Sequence, residues 1–482
     1  MCYLCAVYPR TRTIIILTNC QVTFYLPRLR NTNMKKNKYL PLVIAIIFGV
    51  ILIPFLTGGD DGRYVVSYDE IKPVNSYRPS KIKLYVENSG SMDGYMFNGS
   101  ELKDAVYSYV SGLQTHSDTT ELYFVNSNVY GVKAPLHDVI YAMSPAKFHG
   151  SPGNKANTDI ADIFRMVLSQ LEENSVSILV TDAILDLPAG STAFFHTKQT
   201  QIKSIFENYL KGNPNFAIEI FRMSSRFNGK YYYTGGSVAL SDQKRPYYMF
   251  VLGDKQALSA ANGIVAKSQI QHGVEDYYAY SSYTQVPFVI ENKKKKGHNG
   301  QFEVRLQKRS VPVIAKVDLQ YTLHDEEFLK EPNLYAIAFG DDSIKIKSIK
   351  ELPKEPDYTH AFTLTLPKNA DEGSVNLYFC PPPYPLWLEE ANDDLSDASV
   401  ATTMKTTGIK YIIEGISDAF ASTCVNNPAP FTNGDKVYTP KSSVDKKPIP
   451  VLAGWKFRLD KKEKFNKYHK QKKSKTNNKS NN

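Results

Sequence analysis

The sequence predicts an α/β protein: a doubly wound, mostly parallel sheet first, then a smaller β-sandwich-like domain. Three observations carry this. The runs Ile82–Val86 and Val176–Val180 are mostly apolar and end abruptly in acids, hydroxyls or glycine, as buried strands do at a turn. Nearby lie apolar stripes at helical spacing, such as Ile160, Ile163, Phe164, Val167, Leu168 and Leu171. From Tyr277 onward the pattern changes to short alternating runs with turn residues between them and little helix.

Taken in order, residues 1–33 look like neither a domain nor a targeting signal, and Met34 followed by Lys35-Lys36-Asn37-Lys38 reads as a natural start. Tyr39–Leu56 is nearly free of polar residues and has about the minimum length that spans a bilayer. The lysines before it favour a cytoplasmic N-terminus and an exported body. Residues 34–57 are therefore expected to form an uncleaved single-pass transmembrane helix, with a bacterial cell envelope as the expected setting. Residues 58–80 read as a polar linker.

The α/β domain is expected over 81–267. Leu102, Val106, Tyr109, Val110 and Leu113 predict a helix, and Glu121–Val125 a strand. Ile202, Ile205, Phe206, Tyr209 and Leu210 predict another helix, and Phe216–Phe221 another strand. Tyr247–Leu252 reads as the last strand and Ala257–Ala266 as the last helix. The loop His149–Asn154 is rich in turn formers and is expected to be flexible. The β-rich domain, 268–390, draws on Val286–Ile290, Phe302–Leu306, Val311–Leu323, Thr359–Leu366 and Ser374–Phe379. Residues 391–455 hold one short helix, Ile409–Phe420.

The net charge of +10 is a property of one end. Residues 456–482 hold eleven Lys/Arg and two acids, a contribution of +9, so the rest is close to neutral. That stretch is too polar to bury a core and reads as a disordered basic tail, offering contacts to an anionic surface. No specific nucleic acid is expected of the body. Of the five cysteines, Cys2, Cys5 and Cys20 precede the anchor, while Cys380 and Cys424 could pair in an oxidising compartment.

The chemistry concentrates at strand ends. Lys81–Gly94 places Glu87, Ser89 and Ser91 together just beyond an apolar run. In open α/β sheets ligands bind at that edge, and an acid with two hydroxyls suits a hard cation. Asn157-Thr158-Asp159 opens the helical stripe at Ile160, and Val176–Val180 ends in Thr181-Asp182-Ala183.

Acid-x-Ser-Gly-Ser, then Thr, then Thr-Asp, in this order, resembles the von Willebrand factor A-domain family and its metal-ion-dependent adhesion site. The resemblance implies Ser89, Ser91 and Thr158 as direct metal ligands, with Glu87 and Asp182 acting through waters. It implies Mg²⁺, with Mn²⁺ or Ca²⁺ as alternatives, and a protein partner whose carboxylate completes the coordination. The family's first acid is usually Asp; here it is Glu87, one methylene longer. The function expected is a membrane-anchored, extracytoplasmic module for metal-dependent adhesion or protein–protein interaction, and not an enzyme. The alternatives are a metal-dependent hydrolase acting on phosphates or esters, and a scaffold with a degenerate metal site. Against the hydrolase, the sequence has no His-Glu-x-x-His, no Gly-x-x-x-x-Gly-Lys-Ser/Thr and no Gly-x-Ser-x-Gly, and no histidine close in sequence to Ser89 or Ser91.

Overall fold

A computed structural model describes most of residues 61–461, apart from 70, 72–76, 156–157, 186–192, 283–284, 293–300, 306–310, 340–341, 367–370, 424–430, 434–435 and 439–451. It divides the chain into two units, Met1–Asp60 and Asp61–Asn482. In the first, only the short antiparallel strands Ala6–Val7, Ile14–Thr18 and Gln21–Tyr25 are described, within the stretch read as non-structural. The expected transmembrane helix at Tyr39–Leu56 lies outside the described residues, and among those no helix is long and apolar enough to cross a membrane. Cys424 and most of the basic tail also lie outside them, and Cys380 is buried.

The second unit is mixed α/β. In chain order its main elements begin with β1 (Asp61–Ser67), β2 (Lys81–Glu87), α1 (Glu101–Gln114), β3 (Thr119–Val125) and β4 (Val129–Val132). Then come α2 (Ile160–Ser169), β5 (Ser175–Thr181), α3 (Ala193–Gly212), β6 (Phe216–Tyr233) and β7 (Gly236–Asp254). α4 (Lys255–Ile264) and β8 (Asp276–Ser281) complete the larger sheet, whose order is β8-β6-β7-β5-β2-β3-β4. β2 has both faces buried, which is why its sequence is apolar on both. Ile82, Leu84 and Val86 join a core with α1 and α4, while Tyr85 joins a second core with α2 and α3 on the opposite face.

The sheet is mixed, which corrects the expectation of a mostly parallel one. Only β3, β2 and β5 run parallel; β4, β7, β6 and β8 are antiparallel to their neighbours. The reason is a tight hairpin. Tyr233 pairs with Gly236 across Thr234-Gly235, and Gly235 takes φ +86°, a left-handed conformation that suits glycine. A two-residue turn returns the chain antiparallel, whereas a parallel return needs a crossover of about a dozen residues or more. The expected strands Phe216–Phe221 and Tyr247–Leu252 are thus parts of two strands of 18 and 19 residues. β8, expected in the β-rich domain, forms the outer edge of this sheet.

Two antiparallel sheets of four and six strands contribute to a third core, which includes Phe288, Ile290, Phe362, Leu377 and Trp455. The six-stranded sheet takes β1 from the expected linker and Ala453–Lys461, whose last residues were read as tail. The helix Ile409–Thr423 packs against α3, with Tyr411 stacked on Phe195 at 4.7 Å.

Candidate functional site

β2 and β5 lie side by side in the same direction, so their carboxyl-end loops leave one edge of the sheet. The structure brings all five sequence-predicted residues, Glu87, Ser89, Ser91, Thr158 and Asp182, to a single cavity of about 430 Å³ at that edge. Glu87, Ser89 and Asp182 are nearly fully buried. Ser89 Oγ and Ser91 Oγ lie 2.9 Å apart. The hydroxyl of Thr181 donates to Glu87 Oε2, and the backbone N–H of Ala183 donates to Thr181 Oγ1 at 2.8 Å. Asp182 Oδ1 accepts from the Ile184 N–H at 3.3 Å. Burial pushes the Asp182 carboxyl up, against the opposing pull of Ser91 and of the Arg245 guanidinium.

Thr158 is released for this site by its neighbour. The cap of α2 is Asp159, which accepts from the Ala161 N–H at 3.0 Å and is held by the Lys198 ammonium. Thr158 Oγ1 is buried and makes no hydrogen bond among the described residues. A buried hydroxyl without a partner costs stability unless a ligand or water takes it.

The loop before Thr158, expected to be flexible, is fastened to the serine loop. Asn88 Nδ2 donates to Ser151 Oγ at 2.7 Å and to the Pro152 carbonyl at 3.0 Å. Lys155 Nζ donates to the carbonyls of Asn88 and Phe148 and to Ser151 Oγ. Burial pushes the Lys155 ammonium down, and these three oxygens use all its donors. Gly153 has φ +104°, and a Cβ there would sit 2.1 Å from the Asn126 side chain, so the clamp requires glycine.

Sequence reasoning missed the rest of the wall: His149, Lys155, Tyr232 and Ile184. His149 and Lys155 flank the Gly-Pro-rich loop, a position that only the fold connects to Ser89. Tyr232 comes from the far end of β6; a Cβ on Gly90 would sit 3.5 Å from its ring. The histidine that the sequence scan did not find near the serines is His149. Its Nδ1 lies 2.6 Å from Asp93 Oδ2, in the helical turn Gly90–Tyr95 that follows Ser89.

The donors fit a hard cation on two counts. Ser89 Oγ and Ser91 Oγ hydrogen-bond each other at 2.9 Å, a separation that also suits cis ligands of an octahedral Mg²⁺ at about 2.0–2.1 Å. Thr158 Oγ1 is the orphaned oxygen such an ion would satisfy. Among the described residues no three His, Cys, Asp or Glu come together, so the set is two carboxylates and three hydroxyls, not a cluster of strong ligands. The chain matches no family model, no curated protein and no solved structure.

Proposed function

We propose that the chain is a metal-dependent interaction module of the von Willebrand factor A type, anchored in a membrane with its body outside the cytoplasm. Ser89, Ser91 and Thr158 ligate Mg²⁺, and Glu87 and Asp182 hold it through waters. A partner's carboxylate fills the remaining position, because a bound divalent cation is the strongest local attraction for an anionic oxygen. The observation that carries this reading is the convergence of five oxygen-bearing residues, picked from sequence alone, on one cavity with an unpartnered Thr158 hydroxyl. Calorimetric titration of Mg²⁺, Mn²⁺ and Ca²⁺ into the full-length protein tests it. Binding by the wild type that Asp182→Ala abolishes is the expected result; no binding to the wild type overturns it.

A second reading, a scaffold that needs no metal, has one observation behind it. The buried Arg245 guanidinium already offsets part of the Asp182 charge. Glu87→Asp separates the two: it creates or tightens metal binding in a degenerate site and weakens it in a site built around Glu.

A further inference from the structure

A second cavity, of about 870 Å³, lies where α4 and β8 meet the chain around Gln320–Glu326. Two residues of its wall, Asn262 and Tyr277, reach Glu219 of β6, which is fully buried. Asn262 Nδ2 donates to Glu219 Oε1 at 2.7 Å, and the Tyr277 hydroxyl lies 2.5 Å from the same oxygen. That hydroxyl also contacts the Leu323 carbonyl.

The hydrogens do not balance around an ionised Glu219. A carboxylate and a carbonyl only accept, and a phenol has one hydrogen to give. Tyr277 would then face two acceptors with a single hydrogen. A hydrogen on Glu219 Oε1 removes the conflict: Glu219 donates to Tyr277 Oη, and Tyr277 donates to Leu323. Glu219 Oε2 points the same way, since it is buried with no partner among the described residues. An oxygen so placed costs far less on a neutral acid than on an anion.

The plainer account is an ionised Glu219 balanced by Lys267 of the cavity wall, which does pull on the carboxyl. That ammonium is already engaged, 2.9 Å from Asp325 Oδ1 and 3.9 Å from the centre of the Tyr277 ring. Asp325 itself opposes a charge on Glu219. Burial keeps Tyr109 of α1, Tyr277 and His324 uncharged. The wall's other acids, Glu275, Asp276 and Glu326, are paired with Lys244, Arg222 and His360. The strand neighbours of Glu219 on β7 and β8, Val251 and Ala279, carry no charge. Burial, the largest influence, pushes the Glu219 carboxyl up.

We propose that Glu219 works as a protonated clasp: a neutral carboxylic acid whose O–H, with the Tyr277 O–H and the Asn262 amide, ties β6, β8 and α4 to the turn at Leu323, and which fails as rising pH removes the proton. No metal enters this clasp. A proton held more tightly by the folded chain gives stability that is complete below the ordinary glutamate value of 4.5 and is lost as pH rises through the folded value.

The experiment measures urea unfolding of the full-length protein, wild type beside Glu219→Gln, from about pH 5 to about pH 9. Infrared difference spectra of the same pair are taken at neutral pH. Gln keeps the shape of the side chain and carries no titrating proton. The unfolding constant of the wild type, divided by that of the variant, is expected to rise by up to about tenfold per pH unit above about pH 5. The C=O stretch of a protonated carboxylic acid is expected in the wild type alone, and it should fade there as pH is raised. Tyr277→Phe, which removes the acceptor of that proton, is expected to shift the band. If the ratio stays flat and the band is absent, Glu219 is ionised and the clasp does not exist. A band that Tyr277→Phe leaves unmoved would put the proton elsewhere, with the same consequence.

Discussion

The parallel centre of the large sheet, β3-β2-β5, and its antiparallel wing, β7-β6-β8, do different work at the candidate site. The centre supplies donors. Glu87 ends β2 and Thr181 ends β5, and Ser89, Ser91 and Asp182 follow within a few residues on short loops. The wing supplies one wall residue, Tyr232, and the counter-charge. Its hairpin carries Tyr232 over Gly90 and sets the Arg245 guanidinium close enough to pull on Asp182. Where hairpin and centre meet, a Cβ on Gly94 would fall 2.3 Å from the Phe227 ring, so the turn after the serines is shaped to receive the hairpin.

The largest test of this division is Arg245→Met. Arg245 is 2% exposed, donates to the carbonyls of Val400 at 2.5 Å and Thr403 at 2.8 Å, and lies over Tyr231 at 4.5 Å. Removing the charge leaves two carbonyls unpaired and Asp182 less compensated. The expected loss is about 2–5 kcal/mol, mostly the cost of leaving two buried or half-buried carbonyls without a donor, read as a drop in denaturant midpoint. A loss below about 1 kcal/mol would mean that the centre needs no counter-charge from the wing.

The next test separates the two regions by pH. His324 is stacked on Phe328 at 4.6 Å and lies edge-on to Tyr278 of β8, so it belongs to the wing's outer edge. Burial, with Lys267 adding to it, pushes its imidazole down to about 3 from 6.5. Between those values the unfolded chain binds more protons than the folded one. Stability from this group is therefore complete above about pH 6.5 and falls as pH drops toward 3. His324→Phe, which keeps the stacking, is expected to flatten the acid limb of a stability-versus-pH curve. Asp182 acts with the opposite sign, since its raised value makes the folded state hold the proton more tightly. Acid sensitivity from His324 should thus arise at the wing's edge, beside that of Glu172, which Lys81 and Lys83 of β2 hold down to about 2; an unchanged acid limb in His324→Phe would remove the wing's share.

The same division explains what was legible in the sequence. β2 and β5 were readable as apolar runs that end abruptly in polar turns, and α1 and α2 by their helical period, as from Ile160 to Leu168. Four site residues were readable because chemistry at a parallel strand's end is written within four or five residues of that strand, and Thr158 because it opens the apolar stripe of α2. The pairing direction of the wing was not, because nothing local in Phe216–Phe221 says whether the chain returns by a hairpin or a crossover. Thr234-Gly235 was the available signal, a glycine two-residue turn after a run of three tyrosines. Ala453–Lys461 was overlooked for another reason. Trp455, Phe457 and Leu459 alternate with Lys456, Arg458 and Asp460, a strand pattern hidden under the charge of the tail. His149 and Lys155 join the site only through the fold, so no spacing rule reaches them.

The smallest effect on stability is expected at Ala183, and there the outcome depends on which of two similar terms wins. Ala183 is buried with φ +54°, a left-handed conformation that costs a non-glycine residue about 1 kcal/mol. Glycine would relieve that strain but adds conformational freedom to the unfolded chain, about 0.4–1 kcal/mol in the other direction. The two nearly cancel, so Ala183→Gly should unfold within about 0.5 kcal/mol of the wild type. The neighbouring geometry is less forgiving. The Ala183 N–H closes onto Thr181 Oγ1 and the Ile184 N–H onto Asp182 Oδ1, so the strained turn aims Asp182 at the serines. Loosening it should weaken divalent-ion binding by calorimetry while leaving the melting curve where it was. If affinity and stability both stay put, the loops of the centre do not need their stiffness; if both fall together, the turn serves the fold before it serves the site.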